Sequence, residues 1–351
     1  MIPNKPRIPF SDALDATTDR LLLSALLPLL LMACAPDQPP RHHLSGSTMG
    51  TSFTVTYYGG PREQAVRAKL KERFESIDRQ LSNWDPDSWV RRFNDQDTHT
   101  PMKMPHHVET VLRQTLRLSE QTGGALDPTL GRPINMWGFG PFEHERPINQ
   151  EQLQNALQST GTDQLILENN PPTLSKTHPE LRLNFSATAK GYTIDRVATM
   201  LEEHGVADYK INIGGDLRTA GTPPGNDAWR ILIQKSSEKK RGPSDQPTTL
   251  QLNNRSVATS GDYQRYIQVN GEKRPHILDP ETAAPVDTSL ASVSVVADTA
   301  LKADGLATAC FVLGEQTARK RLSGMKNVGV LFIHRTPEDG FSIRTSEGWP
   351  E

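Results

Sequence analysis

Apolar positions along the chain recur in two periods. Val66, Leu70, Phe74, Ile77 and Leu81 fall three or four residues apart, which predicts an amphipathic helix. The same logic predicts helices over 107–121, stopped by Gly123-Gly124, and over 150–157. A further helix is expected over 187–204, with Gly205 as its C-terminal stop. Another is expected over 299–313, with Asp298 or Thr299 available to cap it. Alternating runs predict strands at 52–58, 164–167, 181–185, 210–213, 229–234, 249–252, 263–269 and 292–296, and the seventh of these turns at Asn270-Gly271. A hairpin of 328–334 and 341–344 should finish the chain. Helices gather early and strands late, so the expected class is mixed α+β, a largely antiparallel sheet with flanking helices. The polar stretch 236–247 reads as an exposed loop, and the chain shows no internal repeat.

One apolar run has no period. Leu21 to Ala33 contains eight leucines in thirteen residues, interrupted by Pro28 and preceded by Arg20. About twenty apolar residues are needed to cross a bilayer, so the run suits the core of a signal peptide better than a span. It ends in Leu31-Met32-Ala33-Cys34, which resembles a bacterial lipobox, in which the cysteine is lipidated and becomes the first mature residue. Residues 1–33 are therefore expected to be a lipoprotein signal peptide and the proline-containing stretch 34–45 a tether. Residues 46–351 are expected to form a single domain held at a membrane surface by acyl chains. Asp12, Asp15 and Asp19 are unusual ahead of such a core and suggest a translation start downstream of Met1.

Composition narrows the class. With 39 Lys and Arg against 41 Asp and Glu, the chain has no general electrostatic footprint for nucleic acid. Two cysteines cannot build a disulfide scaffold. With Cys34 acylated only Cys310 remains, in an apolar helical context that favours a buried, inert thiol. The glycine patterns of dinucleotide folds and P-loops are absent, as are His-Glu-x-x-His and paired zinc cysteines.

What remains is a set of loops and helix starts. Asp304 and Thr308 lie one helical turn apart, so a carboxylate and a hydroxyl point the same way. Hard oxygens of this kind suit Mg²⁺, although an Asp and a Thr at this spacing also make an ordinary hydrogen-bonded helix face. The junction from Leu181 to Tyr192 opens a helix with Lys190 in its first turn. That start can attract an anion, or simply be capped by Ser186 with Lys190 in solvent. Gly214-Gly215-Asp216 and Thr259-Ser260-Gly261-Asp262 permit close backbone approach or merely turn the chain. His276, in His276-Ile277-Leu278-Asp279-Pro280, is a structural imidazole or a base.

Taken in order, these pieces resemble a family. Gly46-Ser47-Thr48-Met49-Gly50-Thr51 leads, followed by Leu81-Ser82-Asn83-Trp84 and Gly123-Gly124-Ala125-Leu126-Asp127-Pro128. Asn135 to Pro141, Ala187 to Asp195, Asn212 to Asp216, His276 to Pro280 and Ala303 to Thr308 complete the set. Eight motifs in this order are similar to the ApbE family of FAD:protein FMN transferases, over roughly Gly46 to the C-terminus. The resemblance implies Mg²⁺-dependent transfer of FMN from FAD, as substrate, to a threonine (or serine) hydroxyl of a target protein, with AMP leaving. It implies targets among subunits of membrane redox complexes of the sodium-pumping NADH:quinone reductase or Rnf type. It also implies a periplasm-facing location in a bacterial envelope, at the inner membrane or alternatively the outer.

Carried onto this chain, the resemblance puts Asp304, Thr308 and the carbonyl of Ala187 on metal-ligand positions. Met49, Trp84, Ala125, Leu126, Asp127, Asn184, Lys190 and Leu278 fall on flavin-nucleotide positions, and His276 on that of a general base. Asn184 replaces an aspartate common at its position; the amide keeps an acceptor and loses the charge. Two other activities fit the same residues: hydrolysis of FAD to FMN and AMP, and non-catalytic flavin binding by a lipoprotein. The first is separated by whether FMN ends on protein or in solution, the second by whether AMP forms at all. A solute-binding lipoprotein would show two similar lobes, and the chain shows no such duplication.

Overall fold

The computed structural model describes residues 38–142, 148–234, 248–262, 266–269, 272–336 and 340–350. The signal-peptide stretch, Cys34, the 236–247 loop and the Asn270-Gly271 turn lie outside the described residues.

The polar-apolar alternation of Arg41–Thr48 (β1) and Thr51–Tyr58 (β2) folds into a hairpin whose two turn residues, Met49 and Gly50, both have positive φ. This is the backbone a tight hairpin needs to match strand twist. Arg41 to Ser45 thus belong to a strand rather than to the expected tether, and they enter the sheet as its first edge. From β2 the sheet continues through Asp208–Ile213 (β6), Asp216–Ala220 (β7), Ser256–Gly261 (β10), Leu290–Ala297 (β13), Gly329–Arg335 (β14) and Phe341–Thr345 (β15). Every pairing between these strands is antiparallel. β13 is buried along its whole length, as its unbroken small and apolar run demands of a central strand covered on both faces.

Three smaller sheets flank it. Met102–Lys103 (β3) and Leu165–Asn169 (β4) both pair with Pro172–Lys176 (β5). Trp229–Ile233 (β8) pairs with Thr248–Leu252 (β9), and Tyr266–Val269 (β11) with Glu272–Pro275 (β12).

Helices cover one face of the main sheet in two groups. Glu63–Leu81 (α1) and Ala189–Glu203 (α6) bury Val66, Leu70, Ile194, Val197 and Leu201 against Leu44, Val55, Tyr57, Tyr209 and Ile211 of β1, β2 and β6. Ala300–Leu322 (α7) lies over β10 and β13, and His106–Thr122 (α3) packs outside it, with Leu112, Leu118, Leu306, Phe311, Val293 and Val295 in one core. Trp89–Asp95 (α2), Gly131–Met136 (α4) and Gln150–Leu157 (α5) are shorter. The other face of the sheet is covered in part by β8 and β9, through Trp229, Ile231 and Leu250.

Residues 181–185 do not form the expected strand. Leu181, Leu183 and Phe185 are buried alternately, but the segment's only ladder contact is an isolated bridge between Arg182 and Leu130. The buried side chain of Asn94 takes the place of a neighbouring strand. Its Oδ1 accepts from the Leu183 N–H at 2.7 Å and its Nδ2 donates to the Leu183 carbonyl at 3.0 Å. Helix α7 also outruns its expected end at Leu313. Gly314 adopts φ 70° and ψ 164°, so helical geometry stops where the pattern stops and then resumes after a kink.

Candidate active site

Helices α6 and α7 cross with their backbones in contact. A Cβ on Gly191 would lie 2.5 Å from the Ala300 carbonyl carbon and 2.7 Å from the Leu301 Cα, so only glycine permits the approach. This crossing brings Lys190, in the first turn of α6, beside Asp304, in the second turn of α7.

Lys190 Nζ is paired with Asp216 Oδ2 and lies 3.6 Å from Asp304 Oδ1. Asp216 comes from the start of β7, directly after the Gly214-Gly215 turn, and its Oδ1 also accepts from the Thr259 N–H at 3.2 Å. Both carboxylates are almost wholly buried, Asp216 2% and Asp304 4% exposed. Burial pushes the Asp304 carboxyl upward; Lys190 opposes that shift and the neighbouring Asp216 adds to it. Burial by itself would lower Lys190, but the two carboxylates more than offset it and hold the ammonium charged. With both carboxylates ionised the cluster carries one negative charge more than Lys190 neutralises, so a further cation placed there favours the ionised form of Asp304.

The oxygens available to such a cation are specific. Asp304 Oδ2 accepts from the Gly191 N–H at 2.9 Å, a donor that a regular helix would turn towards the Ala187 carbonyl. The backbone bonds on either side are made, Ala189 N–H to the Phe185 carbonyl at 2.7 Å and Tyr192 N–H to the Thr188 carbonyl at 2.9 Å. The Ala187 carbonyl is thereby released from the helix ladder. One turn beyond Asp304, Thr308 Oγ1 lies 3.1 Å from Ser260 Oγ of β10. Among the described residues no cluster of three or more His, Cys, Asp or Glu side chains could hold a metal. The set on offer is one carboxylate, one hydroxyl and one carbonyl, hard and sparse, which suits Mg²⁺ better than zinc. The residues present fit that ion. Ser186, offered by the sequence as the cap of α6, does not cap it; the Asp304 carboxylate does.

Around this centre the other expected residues take several positions. Met49, at the β1–β2 turn, is 38% exposed, and its Sδ accepts from Thr193 Oγ1 at 3.3 Å, which pins the hairpin tip to α6. Thr51 and the Lys190 side chain both border Gly214, so hairpin, glycine turn and lysine meet. Ala125 and Leu126 follow the left-handed Gly123 and Gly124 that end α3, and Leu126 packs over Gly305, next to Asp304. Asp127 Oδ1 accepts from the Thr129 N–H at 2.7 Å and from Thr129 Oγ1 at 2.6 Å; burial raises its pKa and these two bonds oppose the rise.

Asn184 is joined to the same loop by its N–H, which donates to the Pro128 carbonyl at 2.7 Å, while its Oδ1 accepts from the Ser186 N–H at 2.9 Å. An amide oxygen serves that turn as well as a carboxylate would. Trp84 is 59% exposed in the loop between α1 and α2, where Ser82 Oγ accepts from the N–H groups of Trp84 and Asp85 at 3.1 Å each.

A second group forms apart from the acidic pair. Leu278 is buried with Leu130 and Trp137, and Trp137 Nε1 donates to the Ala283 carbonyl at 2.7 Å. His276 is half-buried, with its ring edge-on to Phe139 at 6.1 Å. Cys310 is wholly buried, and burial pushes its thiol up to about 12, so it takes no part in chemistry.

Asp216 and Ser260 fall in two glycine-containing segments that the sequence marks out, but as places of close backbone approach or turning and not as site side chains. An acid in the otherwise ordinary strand Asp216-Leu217-Arg218-Thr219-Ala220, directly after paired glycines, was the available signal.

An α+β domain that presents two acids, a lysine and hard oxygen donors at a helix crossing offers a site for a hard cation. The chain belongs to the ApbE family, whose model matches residues 49–332. It is 35% identical over 331 residues to the FAD:protein FMN transferase of Vibrio cholerae, covering 93% of this chain and 97% of that one. The same identity holds over 336 residues to the protein of that name from Haemophilus influenzae, with 93% and 96% covered. Among solved structures, the flavin transferase ApbE from Vibrio cholerae superposes with a TM-score of 0.79 at 33% identity, covering 89% of this chain and 98% of that one. The apo flavinyl transferase ApbE of Pseudomonas stutzeri gives 0.80 at 31%, with 89% and 96% covered.

Proposed function

We infer that this chain is a transferase that moves FMN from FAD to a hydroxyl group of a target protein and releases AMP. The observation that carries this reading is the buried Lys190–Asp216–Asp304 cluster, with two carboxylates set on one ammonium and the freed Ala187 carbonyl beside it. Family membership and the names of its relatives agree with it.

Ala187, Asp304 and Thr308 would hold Mg²⁺, which when bound neutralises charge on the pyrophosphate being divided. The protein's own contribution is positioning and electrostatics, the terms that dominate phosphoryl-type transfer. Lys190 fixes both acids in place. Ser260 orients the Thr308 hydroxyl. The turn of Met49, the exposed ring of Trp84 and the Ala125-Leu126-Asp127 loop supply apolar surface and polar ends for a flavin nucleotide. Asn184 holds the far side of that loop, and Leu278 backs the segment that carries His276. An imidazole nitrogen of His276 accepts the proton of the attacking hydroxyl. In the balanced step the acceptor oxygen bonds to the FMN phosphorus, the anhydride bond to AMP breaks, and AMP leaves with the bridging oxygen.

The acceptor is a threonine or serine of a membrane redox subunit of the sodium-pumping NADH:quinone reductase or Rnf type. The chain works from the periplasmic side of a bacterial membrane, anchored through an acylated Cys34 after removal of residues 1–33. The test is to incubate the soluble domain with FAD, Mg²⁺ and candidate subunits and to look for in-gel flavin fluorescence that survives denaturation. Fluorescence on the subunit is expected. Free FMN and AMP with an unlabelled subunit would make the enzyme a pyrophosphatase, and no AMP at all would make it a flavin binder.

A further inference from the structure

The crossing of α6 and α7 is held from both sides by the same device. Asp304 of α7 accepts the Gly191 N–H at the start of α6. One turn further along α6, Asp195 reaches back to the start of α7. Its Oδ1 accepts from the Ala300 N–H and its Oδ2 from the Leu301 N–H, both at 2.9 Å. Each helix thus presents a carboxylate four residues after its own contact residue, Asp195 after Gly191 and Asp304 after Ala300, and each carboxylate caps the other helix. Arg218 of β7 completes the arrangement, with Nη1 2.6 Å from Asp195 Oδ1 and Nη2 3.5 Å from Glu202 of α6. The next N–H of α7, that of Lys302, is taken by Thr299 Oγ1 at 3.3 Å, so Asp195 supplies partners that nothing else in the first turn does.

We propose that Asp195 is a positioning residue for cation binding: by capping α7 from α6 it sets the axial register that places Asp304 and Thr308 against the Ala187 carbonyl. The proposal rests on the reading that these three residues hold the cation. The geometry makes the coupling direct. Ala187 precedes α6, Asp304 and Thr308 lie on α7, and the chain that joins the two helices between residues 203 and 300 is long and runs through strands β6 to β13, so it does not fix their register. Their relative position depends on the Gly191–Ala300 contact and on the two carboxylate caps. Removing the Asp195 cap leaves two N–H groups of α7 without partners and Arg218 without its principal acceptor. The crossing then keeps the Gly191–Ala300 contact and the Asp304 cap but loses the cap on the first N–H groups of α7. Asp195 touches none of the three cation ligands, so its effect on the cation must pass through the helices.

The experiment is a Mn²⁺ titration followed by electron paramagnetic resonance, without FAD, on the wild type, Asp195→Ala, Asp195→Asn and Val66→Ala. Val66 is a buried residue of α1 that packs on the same core but contributes no hydrogen bond to either cap, and its truncation serves as a control for general destabilisation. Asp195→Ala should weaken Mn²⁺ binding by up to about 10-fold, the low end of what losing a partner bonded directly to a ligand costs. Asp195→Asn should weaken it less, because an amide oxygen can still accept one N–H, and Val66→Ala should bind as the wild type does. If the alanine variant does not fold, the isosteric Asp195→Asn decides: wild-type affinity in it overturns the proposal.

Unchanged affinity in Asp195→Ala also overturns the proposal and leaves the metal assignment standing. An equal loss in Val66→Ala overturns it by reducing the effect to general stability. Failure of the wild type to bind Mn²⁺ refutes the metal assignment itself, and the proposal with it.

Discussion

Replacing Gly191 with alanine is the smallest change that tests the helix crossing. The new methyl would sit 2.5 Å from the Ala300 carbonyl carbon and 2.7 Å from the Leu301 Cα, both backbone atoms that no rotamer change can move aside. Carbon–carbon contacts settle near about 3.5 Å, so α6 and α7 must part by about 1 Å. The Gly191 N–H bond to Asp304 Oδ2, 2.9 Å in the native chain, then lengthens beyond hydrogen-bonding range. Overpacking of this kind costs about 1–3 kcal/mol, and loss of a hydrogen bond to a buried carboxylate about 1–3 kcal/mol more. At about 2–4 °C per kcal/mol for a large domain, the melting temperature should fall by roughly 4–24 °C.

The assay pairs thermal unfolding with Mg²⁺-dependent labelling of an acceptor at a temperature where the variant is still folded. Labelling should be lost there, because Asp304 is displaced from Lys190 and Ala187. Gly205→Ala is the companion variant. It strains a left-handed C-terminal position with no neighbour within 4 Å, so it should lose about 1 kcal/mol and keep its activity. A Gly191→Ala protein with native melting temperature and full labelling would refute the reading of the crossing.

Three further outcomes are expected. Asp304→Ala should abolish Mg²⁺-dependent labelling while far-ultraviolet circular dichroism stays native; full activity would sink the metal assignment. Asn184→Asp should change the unfolding free energy by less than about 0.5 kcal/mol in urea titrations, since either side chain accepts from the Ser186 N–H. His107 is 5% exposed, bonded to Tyr192 Oη at 2.6 Å and to Ser76 Oγ at 3.2 Å. Burial, with nearby positive groups, lowers its pKa from 6.5 to about 4. The unfolded chain therefore takes up this proton first as pH falls. Stability from this site is complete above about pH 6.5 and declines towards pH 4 by about 3 kcal/mol in all. His107→Gln should flatten that part of the acid limb in pH-dependent melting curves, and an unchanged limb would contradict the assignment.

Much of the fold was legible where a period ran long enough to be unambiguous. The 19-residue α1, the 17-residue α3 and the fully buried β13 announce themselves through the spacing of their apolar positions. Thr299 as the cap of α7 and Gly205, with φ 76°, beyond the end of α6 follow from local capping chemistry. The failures share a cause. Residues 181–185 alternate as a strand does, but their partner is the Asn94 amide, 89 positions away in sequence. Strands β7 and β10 are rich in polar side chains because they face the acidic cluster and the Thr259–Ser294 pair, so their alternation is concealed.

For the site, the i, i+4 spacing of Asp304 and Thr308 could be read directly. The joining of Lys190 to both Asp304 and Asp216 could not, since Asp304 meets it only through a helix crossing more than a hundred positions along the chain, and Asp216 only through the placement of β7, 26 positions on.

The most direct test of the central claim is intact mass spectrometry of an acceptor subunit incubated with this protein, FAD and Mg²⁺, with AMP quantified in the same reaction. The account predicts an acceptor heavier by one FMN less one water, one AMP released per label, and no label after the acceptor hydroxyl is replaced. AMP released with the acceptor mass unchanged would contradict it.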